Sequence, residues 1–230
     1  MRLHTTTVPS LSTLFFLALA GCSNGSSGAA DSISSAPVRQ EGKYAPVPAP
    51  LSSAVLDKRL LDESDLGEGY TRKPQQTGGH DDVTVSGCPA LVKLGGDAVI
   101  GDSFAFPRKA KASFTYAGGT DSEVAEELYS GTEENLSKGV GRIFEVMTSC
   151  PRYQVLVGAT PITVTTRKLP APKLGEERWS QLLTFTVGGR SSVVKQTAVR
   201  TGTVVVVVSG SVALVDAHVA KAVDKAHGAG

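Results

Sequence analysis

Apolar and β-branched residues are concentrated in five short runs in the last third of the chain, some alternating with polar residues, and these runs predict five β-strands. The runs cover residues 153–157, 162–167, 181–187, 192–199 and 203–209. Gly188-Gly189 separates two of the runs by two residues, which is a strong hairpin signal, and Thr201-Gly202 predicts a second tight turn. Because strands joined by such short turns pair antiparallel, the sequence predicts an antiparallel meander.

The hairpin at Gly188-Gly189 also predicts which side chains share a face of the sheet. If Val187 pairs with Arg190, then Leu183 lies opposite Val194, and we expect helices to pack on that face. Residues 204–208 are five consecutive valines, apolar toward both faces, which predicts that the second face is partly covered or forms a cleft. Hydroxyl and aliphatic side chains mix on this second face, and four of them are candidate ligand-binding residues: Thr184, Thr186, Lys195 and Thr197.

Helical periodicity flanks the predicted meander on both sides. A capping-box pattern begins at Thr120, and apolar residues then recur at spacings of three and four as far as Met147, which predicts one long helix ending at Cys150-Pro151. A second apolar stripe predicts a helix from Val212 to Ala226. Helices before and after a run of strands indicate an α+β fold rather than alternating α/β units.

Shorter patterns precede the long helix. Apolar pairs at 55–56 and 60–61 have helical spacing, residues 83–85 and 112–116 are typical of strands, and a short helix is expected after Pro89. Residues 103–106 also alternate like a strand. These segments extend the predicted domain to residues 54–230.

The first 21 residues have the features of a secretory leader. Arg2 gives a positive charge near the start, and an apolar stretch follows that is too short to span a bilayer comfortably, so a transmembrane anchor or a buried helix is the weaker interpretation. Leu19-Ala20-Gly21-Cys22 resembles the lipobox of bacterial lipoproteins. That resemblance implies cleavage before Cys22, acylation of Cys22, and anchoring at the extracytoplasmic face of the cell membrane, with plain secretion as the alternative.

Residues 22–53 form the second predicted region, a tether rich in Ser, Gly, Ala and Pro without apolar periodicity. Such composition cannot offset the entropy of ordering, so we expect a spacer, with a proline-rich docking motif as the alternative. Removing the leader leaves 22 Lys and Arg against 22 Asp and Glu, so the formal charge of the mature chain is zero. A net charge near zero offers no electrostatic case for a nucleic-acid partner, so we expect none.

Two cysteines remain once Cys22 is assigned to the lipid anchor. Cys88 and Cys150 lie 62 residues apart, and an exported compartment favours a disulfide between them. Free thiols or a metal-binding pair are the alternatives, and two cysteines without convergent histidines make a poor zinc site.

Searching for catalytic chemistry gives weak candidates. His80-Asp81-Asp82 is a dense cluster of possible metal ligands without a partner motif, and residues 101–105 fall short of a nucleophile elbow. Glu176-Glu177 is a carboxylate pair, and His218 and His227 lie on or beyond the last helix. Nothing fixes a reaction partner for any of them, so we expect a non-catalytic protein without cofactor or metal, with a hydrolase as the minority alternative.

The order of these features resembles one family. The residues that support this resemblance are Leu60-Leu61, Asp65-Leu66-Gly67-Glu68-Gly69-Tyr70, Cys88, the helix into Cys150, Leu174-Gly175-Glu176, Val199-Arg200-Thr201-Gly202-Thr203-Val204 and the last helix. Together they resemble the extracellular sensor-type domain of actinobacterial PknH-like serine/threonine kinases and related lipoproteins, over residues 55–226. The resemblance implies helices on an antiparallel sheet beside a cleft that binds an extracellular ligand. Family members often carry two cysteine pairs, whereas this chain has one.

Two functions follow from these features. The first is a lipid-anchored binding or sensor module for a small molecule or an envelope glycan or lipid. The alternative is an interaction protein that docks onto a membrane kinase or cell-wall enzyme through its sheet edge or the turn Pro107-Arg108-Lys109. Since this chain contains no kinase domain, any signal would pass through an envelope protein partner.

Overall fold

The computed structural model describes residues 48–75, 83–94, 106–119 and 122–228, and within these ranges it shows an α+β fold. Nine strands form one antiparallel sheet: β1 (Tyr70–Arg72), β2 (Val83–Ser86), β3 (Arg108–Tyr116), β4 (Glu123–Ser130), β5 (Arg152–Val157), β6 (Thr160–Lys168), β7 (Glu177–Val187), β8 (Arg190–Thr201) and β9 (Val204–Gly210). Five helices accompany it: α1 (Ser53–Asp57), α2 (Glu63–Leu66), α3 (Pro89–Leu94), α4 (Glu133–Ser149) and α5 (Val212–Ala226).

The strand order in the sheet is β1-β3-β4-β9-β8-β7-β6-β5-β2. Strands β5 to β9 are therefore a continuous meander, as predicted, and the fold class is confirmed. Helix α4 connects β4 near one side of the sheet to β5 near the other. No described helix is both long and apolar enough to cross a membrane.

The predicted hairpin register is confirmed. Val187 pairs with Arg190 and Leu183 with Val194, and Gly188 and Gly189 both take positive φ angles between them. Strand β7 begins at Glu177, earlier than the predicted 181. Strands at 83–85 and 112–116 and the helix after Pro89 are confirmed as parts of β2, β3 and α3, whereas residues 103–105 lie outside the described ranges.

The long helix is shorter than predicted, because its first third is a strand. Residues 123–130 form β4, and α4 begins after Thr132, whose Oγ1 accepts a hydrogen bond from the amide of Asn135. Val124 and Leu128 supported the helix prediction because they are four residues apart. A spacing of four also places two side chains on the same face of a strand, so this pair could not separate the two structures.

The two long helices cover opposite faces of the sheet. Helix α4 packs on the predicted face, in a core with Val205 and Val207, whereas α5 packs on the second face with Val204, Val206 and Val208. The expectation that the helices share one face is therefore wrong for α5, because the valines of β9 are apolar toward both faces. The expectation that the second face is partly covered is confirmed, because α5 buries the valine run on that side. Because α5 lies over β4, β9 and β8, no described helix covers the second face of β2, β5, β6 and the part of β7 nearest the Gly188-Gly189 turn.

Cys88 and Cys150 form the predicted disulfide, with Cα atoms 5.8 Å apart. Cys88 immediately precedes α3 and Cys150 follows the last residue of α4. The bond therefore holds the end of α4 against the β2–α3 side of the sheet, where Leu91, Met147 and Tyr153 form a core.

Candidate functional site

The uncovered half of the second face is the candidate functional site, and it is called the polar face here. Its register places side chains in rows that run across the strands. One row is Arg167-Leu182-Lys195, the next is Arg152-Thr165-Thr184-Val193, and the third is Ser86-Gln154-Thr163-Thr186-Ser191. Since neighbouring strands lie about 4.8 Å apart, the third row presents hydroxyl and amide groups at that repeat across five strands.

The polar face carries cations and no carboxylates. Of the described strand positions that face this side on β2, β5, β6, β7 and β8, none is Asp or Glu. Arg152 and Arg167 are exposed, and neither forms an ion pair with a described residue. Apolar exposure is limited to scattered side chains such as Val193, which is 46% exposed. The surface can therefore offer hydrogen bonds and positive charge together.

Helix α5 borders the polar face, and its position determines which of the predicted ligand-binding residues are exposed there. Thr184 and Thr186 lie on the face, partly exposed, and the Thr186 hydroxyl is 2.9 Å from that of Ser191. Lys195 lies at the border, where its ammonium group bonds to Asp216 of α5. Thr197 lies beneath the helix at 1% exposure, with its hydroxyl 2.9 Å from that of Ser180.

Sequence analysis missed several residues of the polar face. Arg152, Gln154, Thr163 and Thr165 belong to β5 and β6, whose pairing brings them beside Thr184 and Thr186. The sequence did contain a signal for the β5–β6 pairing, because a two-residue turn at residues 158–159 places Arg152 opposite Thr165.

A second concave surface lies along the outer edge of β3. It is a cavity of about 770 Å³, bounded by α1, the segment after β1, and the strands β3 and β4. Its polar lining residues include Ser53, Lys73, Gln75, Lys109 and Glu127.

The buried carboxylate of this cavity, Glu127, is fully held. Lys111 Nζ lies 2.7 Å from Glu127 Oε1, and the Tyr129 hydroxyl donates to Oε2 at 2.5 Å. With both oxygens engaged, Glu127 is positioned as a structural link rather than as a base waiting for substrate.

The Glu176-Glu177 pair is also structural. Both carboxylates bind the buried guanidinium of Arg200, at 2.7 Å and 2.5 Å, and Ser137 of α4 donates to Glu177 at 2.8 Å. Burial raises the pKa of Glu177, but the hydrogen bonds from Arg200 and Ser137 outweigh it and hold that pKa below its usual value.

The remaining chemical candidates bring together no reactive set. Tyr70 Oη lies 2.6 Å from His218 Nε2, and burial lowers the pKa of His218 and of His227. No cluster of three or more His, Cys, Asp or Glu residues suited to a metal occurs within the described ranges. His80-Asp81-Asp82 and residues 101–105 lie outside them.

Glu126 is the most strongly perturbed acid in the described part of the chain, and sequence analysis missed it. Its side chain is 1% exposed, Oε2 accepts a 2.6 Å hydrogen bond from the Leu61 amide, and Oε1 has no partner among the described atoms. Burial raises its pKa to about 8, so the carboxyl is largely protonated at neutral pH. Glu126 lies beneath Leu61, between α1 and α2, and lines neither of the two surfaces described above.

Comparison with known proteins supports the fold. No family model and no curated protein sequence matches the chain. Among solved structures, the crystal structure of the extracellular domain of PknH from Mycobacterium tuberculosis matches with a TM-score of 0.58 at 17% sequence identity. The match covers 78% of this chain and 98% of that domain. The fold that the sequence resemblance implied is therefore confirmed: this chain shares the fold of that extracellular domain.

Proposed function

We propose that the chain is a lipid-anchored, non-catalytic binding module at the extracytoplasmic face of the cell membrane, and that its ligand binds the polar face. One observation carries the proposal: the sheet is covered on both sides where its residues are apolar, and its uncovered half presents ordered hydroxyl rows flanked by free cations. An ordered polar surface without a reactive pair is suited to recognition rather than to bond cleavage.

Two further features support the location. The leader and its lipobox at Cys22 predict export and acylation, and the Cys88–Cys150 disulfide is typical of an oxidising compartment. The shared fold with the extracellular domain of PknH agrees with this placement.

The anchoring part of the proposal has a direct test. In a bacterial host, the wild-type chain is expected in the membrane fraction with an incorporated palmitate analogue, because Cys22 is the acylation site. Cys22→Ser should abolish labelling and release the protein, while Ser23→Ala should change neither. Equal labelling of wild type and Cys22→Ser would contradict the anchor.

The binding part is tested by native mass spectrometry of the protein purified from its own organism. We expect a non-peptide adduct on the wild type, lost from the double variant Thr165→Val, Thr184→Val, because valine keeps the shape of threonine and removes its hydroxyl. Thr71→Val, an exposed threonine on β1, is the matched control and should keep the adduct. A wild type without an adduct, or a double variant that retains it, contradicts the site.

Docking of a protein partner along the β3 edge is less well supported. Outward-facing backbone groups of that strand are already bonded: Ser53 Oγ accepts from the Lys109 amide, Gln75 Nε2 donates to the Lys111 carbonyl, and the Lys73 amide donates to the Ser113 carbonyl. A partner strand could not pair with these groups without displacing the residues that hold them.

A further inference from the structure

Charge is unevenly distributed along the neutral mature chain. Residues 151–200 contain eight Lys and Arg but two Asp and Glu, a formal charge of +6, which leaves −6 for the rest of the mature chain. Both of those acids, Glu176 and Glu177, are bound to Arg200. This segment builds β5 to β8, and three of its cations, Arg152, Arg167 and Lys195, lie in the rows of the polar face. Lys195 is bonded to Asp216, which leaves the two arginines as the unpaired charges of the face.

Two of these cations stand beside the hydroxyl rows. Arg152 lies directly opposite Thr165, and Arg167 lies directly opposite Leu182 in the adjoining row. An exposed guanidinium can bind a carboxylate or phosphate through two parallel hydrogen bonds, and neither arginine has a competing described acid. The charge of the face is therefore complementary to an anion.

The arrangement of the hydroxyls indicates the shape of that anion. Hydroxyl and amide groups repeat at the strand spacing over five strands in one row, and the Thr165-Thr184 pair lies in the next row. This repeat matches a linear polymer whose repeat unit is about as wide as a strand. Threonine, serine and glutamine side chains can both donate to and accept from sugar hydroxyls. A lipid surface would instead call for a continuous apolar patch or large apolar wedges, and the face offers scattered side chains such as Leu156 and Val193.

We infer that the polar face binds a linear polysaccharide carrying an anionic group on its repeat unit, laid across strands β5 to β8 with its anions at Arg152 and Arg167. This inference rests on the proposed function and names the class of ligand for the same site. Hydroxyl rows position the sugar units, and the arginines select an anionic polymer over a neutral one.

The test uses polygalacturonate as the probe and its fully methyl-esterified form as the uncharged polymer of the same backbone. The protein is the full mature chain with Cys22→Ser, which removes the acylation site. We expect polygalacturonate to bind, with affinity that falls as salt rises, and the esterified polymer to bind at least about tenfold more weakly. Arg152→Gln with Arg167→Gln should weaken polygalacturonate binding by a similar factor.

Arg142→Gln is the matched control, since Arg142 is an exposed arginine on α4, over the other face of the sheet. It should leave binding unchanged, and an equal loss for Arg142→Gln and the double variant overturns the inference. Tighter binding to phosphatidylglycerol vesicles than to the polymer would assign the face to lipid and also overturn it. If neither polymer binds but the native adduct is still lost from the threonine double variant, the ligand class is wrong and the proposed function stands.

Discussion

Replacing Glu126 by Gln is expected to raise the free energy of unfolding by roughly 3–5 kcal/mol at pH 9 and to change it by less than about 1 kcal/mol at pH 4. The pKa of Glu126 is about 8 in the folded chain against an ordinary value of 4.5. Above pH 8 the folded state therefore holds a buried carboxylate whose one described hydrogen bond comes from the Leu61 amide. Glutamine keeps the size of the side chain and an oxygen for that bond, without the charge.

The direction of the pH dependence follows from proton binding. Between pH 4.5 and about 8 the folded chain keeps the Glu126 proton that the unfolded chain has released, so stability falls as pH rises through this window. His218 and His227 act in the opposite direction, because burial lowers their pKa and their folded forms release protons first. Comparing wild type with Glu126→Gln at each pH cancels the histidine contribution.

Urea unfolding at a series of pH values measures this effect. Plots of unfolding free energy against pH for wild type and Glu126→Gln should coincide near pH 4 and separate steadily up to about pH 8. Glu145→Gln, an exposed carboxylate on α4, should follow the wild type throughout. Parallel curves for wild type and Glu126→Gln would show that Glu126 is not protonated in the folded chain.

Removing the disulfide is the second change with a large expected effect. Cys88→Ala with Cys150→Ala should lower the free energy of unfolding by about 4 kcal/mol, from the loop entropy of a 62-residue closure. The end of α4 should loosen first, because the bond fastens it beside α3 and β2. Urea unfolding with and without reductant checks this in the Cys22→Ser background.

Reductant provides an internal control for the disulfide. It should lower the stability of the chain with both cysteines to nearly that of the double alanine variant, and leave the double variant unchanged. If reductant or the double variant changes the unfolding free energy by less than about 1 kcal/mol, the disulfide does not stabilise the end of α4 as expected.

Local sequence patterns predicted much of the fold. The Gly188-Gly189 turn gave the register of β7 and β8 pair by pair, since a two-residue turn leaves one pairing that keeps the apolar face together. Helix α4 was predicted too long because the spacing of Val124 and Leu128 fits a helix and a strand equally. The sequence could not predict which side of the sheet α5 covers, because the valines of β9 make both faces of that strand apolar.

The site was less accessible to sequence reasoning than the fold. Thr184 and Thr186 were identified because they sit in the hairpin with the clear register. Their neighbours in β6 are joined to β7 through the connection at residues 169–176, which contains no short turn to set the pairing. The burial of Thr197 and the ion pair between Lys195 and Asp216 depend on the position of α5. The burial of the Glu126 carboxyl depends on the packing of Leu61 against it.

Site-specific photo-crosslinking in the native organism tests the central claim, binding at the polar face, most directly. A photoreactive amino acid is placed at the exposed Val193 on the polar face, at Gln75 beside the edge cavity, or at Arg142 on α4, and each protein is irradiated in intact cells. The peptide carrying position 193 is expected to gain a non-peptide mass, and the other two peptides are expected not to. A mass captured at position 75 instead, or equally at all three positions, would contradict the central claim.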